Sequence, residues 1–547
     1  MRTVAVPRIG QPAAKSGIRL TNACRFSTRE GWNSDTDARS HRMARFERAI
    51  RPLRPSDVAM MLAGVSRVVV LGAGVSGHTA ATLARKWLGH DSSVTVVSPK
   101  PDYNWIPSNI WVGVGRMKAR DVTFQLTPVY ERAGIEFKLA WAREIHPEGD
   151  SEDPTPYVAI EPVGGGAPRL ESVAYDYLIN ATGPQLRFDK TEGLGPNGHS
   201  LSVCTPEHAV QTSAALDEMV ERMRRGERKQ FLVGVGHGTC TCEGAAFEYI
   251  VNLEFELRAR KVRDRADITW ITNEYELGDF GMGGMHFRQG GYVIPSSVFN
   301  ASLFAERGID WITRAHVQKV EQGSVYYETL DGEQAERKFD FAMLLPPFSG
   351  VGLKARGQDG ADITDRLFLP NGFMRVDADY ATKPYEEWSA RDWPRTYQSP
   401  FYKNIFSVGI AFAPPHAVSR PHTSPRGTLI APAPPRTGMP SAMMGKAVAR
   451  SVVDMIQGSK GPTHTASMAE MGASCVASAG AHLFTGTAAS ITVFPIVPDF
   501  ERYPEYGRDL GRTFGEIGLA GHWIKLLLHY MFIYKAKLRP GWTLIPE

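Results

Sequence analysis

Residues Val68 to Gly77 read VVVLGAGVSG, and this stretch decides the fold. Three valines and Leu71 make a short buried strand, after which Gly72, Gly74 and Gly77 fall in G-x-G-x-x-G spacing ahead of the helical run His78 to Trp87. Each glycine has a physical task. Gly72 makes the tight turn, Gly74 lets a pyrophosphate approach the backbone, and Gly77 lets the helix close on the strand. The helix N-terminus then faces the phosphates. A chance glycine-rich turn is the competing explanation, but a second apolar strand, Val94 to Val97, ends about 20 residues on, where a ribose is met. The acidic residue usual at that strand end is missing. Ser98 stands there, followed by Pro99 and Lys100, so the ribose contact falls to the Ser98 hydroxyl, to backbone or to Asp102.

The 547 residues suffice for two or three domains, and 43% apolar with 22% charged residues is ordinary globular composition. A net charge of +4 makes no case for a nucleic-acid partner. Five cysteines, Cys24, Cys204, Cys240, Cys242 and Cys475, are too few and scattered for a secreted disulfide framework, and no pair of C-x-x-C motifs suggests structural zinc. No metal site is expected. Residues 1 to 60 carry twelve Lys or Arg against five Asp or Glu. They read as a disordered basic arm or an over-long start, with an Arg-rich transit peptide as the alternative that Glu30, Asp35 and Asp37 interrupt.

Further on, Tyr175 to Pro184 (YDYLINATGP) runs from a buried strand into Ala181-Thr182-Gly183. Such a turn lets backbone approach a bound nucleotide; a simple strand exit is the bland alternative. A second nucleotide-type unit follows, with a strand from Gln230 to Val235, a Gly234-to-Thr239 turn, a helix through Arg258 and a strand from Ile268 to Thr272. Here Thr239 replaces the third glycine, and Cys240 and Cys242 stand where phosphates need bare backbone. The unit reads as a dinucleotide fold that has lost its dinucleotide, so electrons do not arrive from NADH.

Taken together, CEGAAFE (Cys242 to Glu248), ITWITNEYELGDFGMGG (Ile268 to Gly284), LLPPFSG (Leu344 to Gly350), FYKNIFSVG (Phe401 to Gly409), Arg436-Thr437-Gly438 and SVCTPEHA (Ser202 to Ala209) resemble sulfide:quinone oxidoreductases in one order. Flavocytochrome c sulfide dehydrogenase flavoproteins are similar relatives with another electron acceptor. The resemblance implies FAD on Gly72, Gly74 and Gly77, with Thr182 and Gly183 at the inter-domain turn and Gly409 near the flavin. It matches Cys204 to the cysteine that some members attach covalently to the flavin, and Cys242 to the redox cysteine that faces the ring and carries sulfur. The third family cysteine finds Asp379 as its nearest match, ahead of an insertion from Ala381 to Ser399. By that alignment the usual bridge to Cys242 cannot form, and the oxidised partner is left to Cys240 or Cys204.

Thiolate is the nucleophile in such chemistry, and a strained C-x-C disulfide is easily reduced. Cys240 also reads as a small packed residue at the strand-helix junction, and Cys475, in GASCVASAGA, reads as core. Glu248 lies six residues after Cys242, close to the same helix face, where it either accepts a proton at the sulfur site or is merely solvated. His237 and His416, both in turns, are weaker candidates.

The proline-rich stretch His416 to Met439 is a functional or a surface loop; in the family it leads into the quinone pocket, beside an apolar helix like Met443 to Ile456. Gly521 to Trp542 (GHWIKLLLHYMFIYKAKLRPGW) is dense in apolar and aromatic residues, broken or flanked by Lys525, His529, Lys535, Lys537 and Arg539. It is too short and too charged to span a bilayer and suits a helix lying in the interface, with a buried C-terminal helix as the alternative.

The expected fold is α/β, with two Rossmann-like dinucleotide-binding domains of the pyridine nucleotide-disulfide oxidoreductase type and a C-terminal membrane-associating helical segment. The expected organisation is a basic extension over 1–64, an FAD domain over 65–195 and 346–460, a second domain carrying the redox cysteine over 196–345, and a membrane-association segment over 461–547. The expected activity is FAD-dependent oxidation of sulfide, or a related reduced sulfur compound, with transfer of two electrons to membrane quinone by a peripheral, monotopic enzyme. Cys242, Cys204, Cys240 and Glu248 are its catalytic candidates, and a homo-oligomer is left open. The alternatives are a flavoprotein serving a cytochrome and a degenerate flavin-binding sulfur sensor.

Overall fold

The alternation of apolar strands with small-residue helices is met in space by parallel sheets. A computed structural model describes residues 66–89, 92–164, 169–241, 243–435, 438–480 and 486–547. The basic extension, Cys24, Cys242, Arg436 and Thr437 lie outside the described residues.

In chain order, the elements that frame the site begin with β1 (Ser66–Leu71), α1 (Val75–Leu88) and β2 (Ser92–Ser98). Next come β3 (Glu136–His146), β4 (Tyr157–Pro162), β5 (Glu171–Ala174) and β6 (Tyr177–Asn180). Helix α2 (Pro206–Arg224), β7 (Lys229–Val235), α3 (Glu243–Ala259) and β8 (Ala266–Ile271) follow. The chain continues with β9 (His286–Gln289), β10 (Tyr292–Pro295), β11 (Ile309–Ile312), β12 (Phe341–Leu345) and β13 (Ile405–Ser407). It closes with α4 (Gly438–Ile456), β14 (Ala473–Ala479), β15 (Thr487–Val493), β16 (Phe514–Gly518) and α5 (Leu519–Ala536).

The first sheet has the order β13-β6-β1-β2-β3-β4-β5, parallel through β3 and antiparallel beyond it. Its central strands are apolar on both faces, as a sheet covered on both sides requires: Val68, Val69, Val70 and Leu71 are all buried. The second sheet, β11-β8-β7-β12, is wholly parallel. These are the two Rossmann-like units.

A third sheet has the order β10-β9-β16-β15-β14, so residues 286–295 are joined to the C-terminal strands by the single pair Arg288 and Phe514. Helix α3 packs against β7 of the second sheet and β14 of the third. That explains why it is apolar all round, burying Phe247, Tyr249, Ile250, Val251, Leu253 and Leu257. Helix α5 rests on β14, β15 and β16. No helix among the described residues is long and apolar enough to cross a membrane.

Candidate active site

The glycine turn after β1 separates packing from ligand binding, position by position. A Cβ on Gly72 would stand 2.2 Å from the Ala181 carbonyl oxygen, and one on Gly77 2.0 Å from the Gly72 carbonyl oxygen, so both are demanded by the fold itself. A Cβ on Gly74 would meet no atom within 4 Å. Gly74 is also the N-cap of α1, which has no side-chain cap and no acidic residue in its first turn. The free N–H groups of a 14-residue helix therefore open onto unfilled space at the one glycine that protein packing does not require. That is the cradle a pyrophosphate needs.

The other cofactor candidates gather around this turn. Ala181 N donates to Leu71 O at 2.8 Å, which brings the 181–183 turn beside the first. The Thr182 hydroxyl donates to Asn180 Oδ1 at 2.8 Å, and Gly183, at φ +71°, leaves its Cβ side open. Gly409, at φ +69°, stands so close to α1 that a Cβ would reach 2.4 Å from Ser76 Oγ. Ser98 is buried at the end of β2, its hydroxyl 3.3 Å from both the backbone N and O of Lys100. Asp102 is exposed. The residues present thus fit a dinucleotide cofactor.

The second turn is closed instead. The carbonyls of Gly238 and Cys240 accept hydrogen bonds from Ala431 N at 2.8 Å and Ala433 N at 3.0 Å, and Gly238 N donates to His316 Nδ1 at 3.0 Å. Asn273 Nδ2 donates to the same two carbonyls at 3.2 Å. The proline-rich 416–439 stretch is therefore neither a plain surface loop nor unattached: its 431–434 part seals the turn that a second dinucleotide would use. His237 is half-buried against His316, their ring centroids 4.4 Å apart, and burial lowers it to about 4. His416 is held between Trp388 and Trp393 of the 381–399 insertion, accepting from Trp393 Nε1 at 2.9 Å. Neither is a merely exposed turn histidine.

All three described site thiols are held neutral. Cys240 is wholly buried at the strand-helix junction and donates to Leu345 O at 3.3 Å; burial pushes its thiol well up. Cys204 is half-buried just before α2, with its thiol pushed up to about 11 by burial. Cys475, read from sequence as core, has a place of its own. It lies on β14 facing the first turn of α3, its Sγ 3.2 Å from where a Cβ on Gly244 would be. Gly244 is two residues after Cys242 in the chain. Burial pushes the Cys475 thiol up to about 12.

Asp379, the nearest sequence match to the third cysteine, is a partly exposed residue ion-paired with Lys383. It stands in a surface salt-bridge cluster with Asp392 and offers no sulfur chemistry. A described cysteine, Cys475 on β14, faces the first turn of the helix that follows Cys242 in the chain.

Glu248 is buried and ion-paired, its Oε2 2.9 Å from Lys525 Nζ of α5; burial raises its carboxyl, and Lys525 opposes the rise. It is not solvated. Sequence also passed over Glu243, wholly buried at the start of α3, and the buried acids Glu274 and Asp279. Glu243 lay inside the quoted CEGAAFE motif, but a charged residue in a first helical turn looks ordinary until its burial is known.

The C-terminal helix buries His522, Leu526, His529 and Ala536 and leaves Trp523, Ile524, Leu527 and Tyr530 45–64% exposed. Three of the basic residues that a membrane-lying helix would turn toward anionic lipid are engaged inward. Lys525 meets Glu248, His529 Nδ1 lies 2.8 Å from Ser108 Oγ, and Lys535 donates to Ile545 O at 2.6 Å and pairs with Glu547.

No family model matches the chain. A sulfide-quinone reductase of Aquifex aeolicus is 30% identical over 471 residues, 86% of this chain and 91% of the relative. The crystal structure of the Aquifex aeolicus sulfide:quinone oxidoreductase superposes with a TM-score of 0.66 at 28% identity, covering 87% of this chain and 92% of that one. NDH2 from Plasmodium falciparum shares the fold, with a TM-score of 0.54 at 13% identity over 87% of this chain and 96% of that one.

Proposed function

The chain belongs to the sulfide-quinone reductase family, and from that premise we propose how its own residues carry out the oxidation of sulfide with quinone as acceptor. FAD, when bound, takes two electrons from sulfur and passes them on to quinone. Gly74 and the open N-terminus of α1 hold its pyrophosphate, with Thr182, Gly183 and Gly409 beside it. Attachment of FAD through Cys204 is a further part of this proposal, for which the half-buried thiol beside α2 is the candidate.

The observation that carries the sulfur chemistry is Cys475 against Gly244 at the head of α3. Cys475 and Cys242 form the redox pair in our proposal, in place of Cys240 or Cys204. A thiol pushed up to about 12 is not a nucleophile at rest. It is freed only when hydrosulfide attacks a sulfur–sulfur bond: one new S–S bond forms, the old one breaks, one cysteine carries a persulfide and the other leaves as a sulfur that takes up a proton. The persulfide and its partner thiol therefore arise only when substrate arrives.

The exposed face of α5, continued by Phe514 and Ile517 on β16, supports docking on a membrane surface as a peripheral enzyme. It favours quinone over a cytochrome, because quinone stays dissolved in lipid. With Cys475 as the partner of Cys242, this reading needs no cysteine at Asp379, the feature that motivated the sensor alternative.

The test is an anaerobic sulfide titration watched through the flavin absorbance, followed by a soluble quinone. Bleaching by sulfide and recovery on quinone are expected. A flavin that stays oxidised at about millimolar sulfide, where enzyme sites ordinarily saturate, would overturn the substrate assignment.

A further inference from the structure

Glu243 opens α3 directly after Cys242, is wholly buried, and finds no hydrogen-bond partner for either carboxyl oxygen among the described residues. Two more buried acids stand within electrostatic reach. Glu274 accepts from the Thr272 hydroxyl at 2.8 Å and from Phe280 N at 2.6 Å, and Asp279 accepts from Gly284 N at 2.7 Å. The cation facing Asp279 is Arg508, also buried, whose guanidinium donates to the carbonyls of Gly284 and Met282. Arg508 faces Asp279, and burial raises all three carboxyls. Burial, then Glu274 and Asp279, hold Glu243 well above the usual carboxylate range, while Glu274 is pushed up to about 8. Glu274 and Asp279 each accept a hydrogen bond from a neighbour, whereas both Glu243 oxygens are without a hydrogen-bond partner among the described residues.

Other charged and titratable groups nearby do not take its place. Cys240 precedes it with its thiol spent on Leu345 O, Cys475 lies across the first turn of α3, and Glu248 has its charge matched by Lys525.

We propose that Glu243 is the proton-exchanging residue of the sulfur site, giving its proton to the sulfur that leaves when sulfide cleaves the S–S bond there and recovering it as the electrons depart. This rests on the function proposed above. Hydrosulfide, the R–S–S–R′ pair and the Glu243 acid give R–S–SH, R′–SH and the Glu243 carboxylate. One S–S bond forms and one breaks, and the charge brought in by hydrosulfide ends on the carboxylate. Oxidation of the persulfide and thiol to R–S–S–S–R′ then releases two protons and two electrons. One proton restores the Glu243 acid, and the other goes with the electron pair to FAD, the oxidant the family activity supplies. The position suits the task, because the first turn of a 17-residue helix favours a transient carboxylate. Without such an acid, the displaced sulfur would leave as a thiolate in a buried site.

The experiment compares sulfide-driven flavin bleaching by stopped flow in native, Glu243→Gln and Glu243→Met holoenzymes over about pH 6 to 9. It adds thermal stability and the infrared band of a protonated carboxylic acid at neutral pH. Both variants are expected to bleach about 100-fold more slowly and to lose the pH dependence of that step. Their flavins should reoxidise with quinone at the native rate, and Glu243→Gln should lose a carboxylic acid band. Glu243→Met removes an unpaired buried carboxyl, so a slow variant of native or higher Tm is not misfolded. Bleaching within twofold of native in both variants, or an infrared band unchanged in Glu243→Gln, overturns the proposal. If native protein itself is not bleached, the sulfide assignment falls and this proposal with it; if only the variants match native, Glu243 falls alone.

Discussion

Lys525 Nζ lies 2.9 Å from Glu248 Oε2, joining the C-terminal helix to the helix that follows Cys242. Both side chains are nearly enclosed, so the pair is a buried one whose rupture is costly.

Lys525→Met should leave the Glu248 carboxyl without its cation and cost about 3 kcal/mol of stability. Adding Glu248→Gln should restore most of that loss. Chemical denaturation of the four proteins of the cycle measures the coupling, and simple additivity would mean the pair contributes nothing.

The glycine turn makes opposite predictions for two neighbours. Gly77→Ala drives a Cβ into the Gly72 carbonyl and should destabilise the fold by about 1–3 kcal/mol or more. Gly74→Val has room in the protein and should leave the fold intact while weakening FAD retention about tenfold or more, roughly 1.4 kcal/mol. Flavin content against protein, together with Tm, separates the two.

Among the cysteines, Cys475→Ser should abolish sulfide-driven bleaching with little change in Tm, whereas Asp379→Asn should leave turnover at the native level. Cys240→Ser should act on stability, losing about 1 kcal/mol or more as a packed thiol is replaced by a hydroxyl. Full activity in Cys475→Ser would remove that residue from the sulfur site.

Vesicle flotation tests the membrane face. Replacing Trp523, Ile524 and Leu527 by Ser should release the protein from vesicles, since each buried apolar side chain contributes about 1.5–3 kcal/mol of transfer. Reduction of a water-soluble quinone should survive the change, and flotation that persists would place the docking surface elsewhere.

An acid limb of stability should come from His78. Its Nδ1 accepts from the Tyr130 hydroxyl at 3.0 Å and its Nε2 donates to Ala536 O at 2.8 Å, pinning the end of α5 to α1. Burial lowers its pKa from 6.5 to about 4. The unfolded chain therefore takes up a proton first, and stability is present above the unfolded value and lost as pH falls from 6.5 toward 4. The full loss is about 3 kcal/mol. Denaturation midpoints of native and His78→Gln protein across that range should differ in slope, the variant being flatter.

The sequence by itself determined the features whose cause is local. Strand, glycine turn and helix from Val68 to Trp87 were legible because ten residues carry both the close packing of Gly72 and Gly77 and the opening at Gly74. The emptied second turn was legible from Thr239 and the cysteines after it, and the outward aromatics of α5 from their density. Tertiary structure alone decided which groups meet. Cys475 reaches Gly244 across 231 positions and Lys525 reaches Glu248 across 277, because α3 is sandwiched between two sheets and α5 lies on one of them. Periodicity tells which face of an element is apolar, not which distant strand will cover it. Cys475, which reads as core, thus faces the first turn of α3, Lys525 and Lys535 of the C-terminal helix are engaged inward, and Glu243 looked like any acid in a first helical turn until packing took the water from around it.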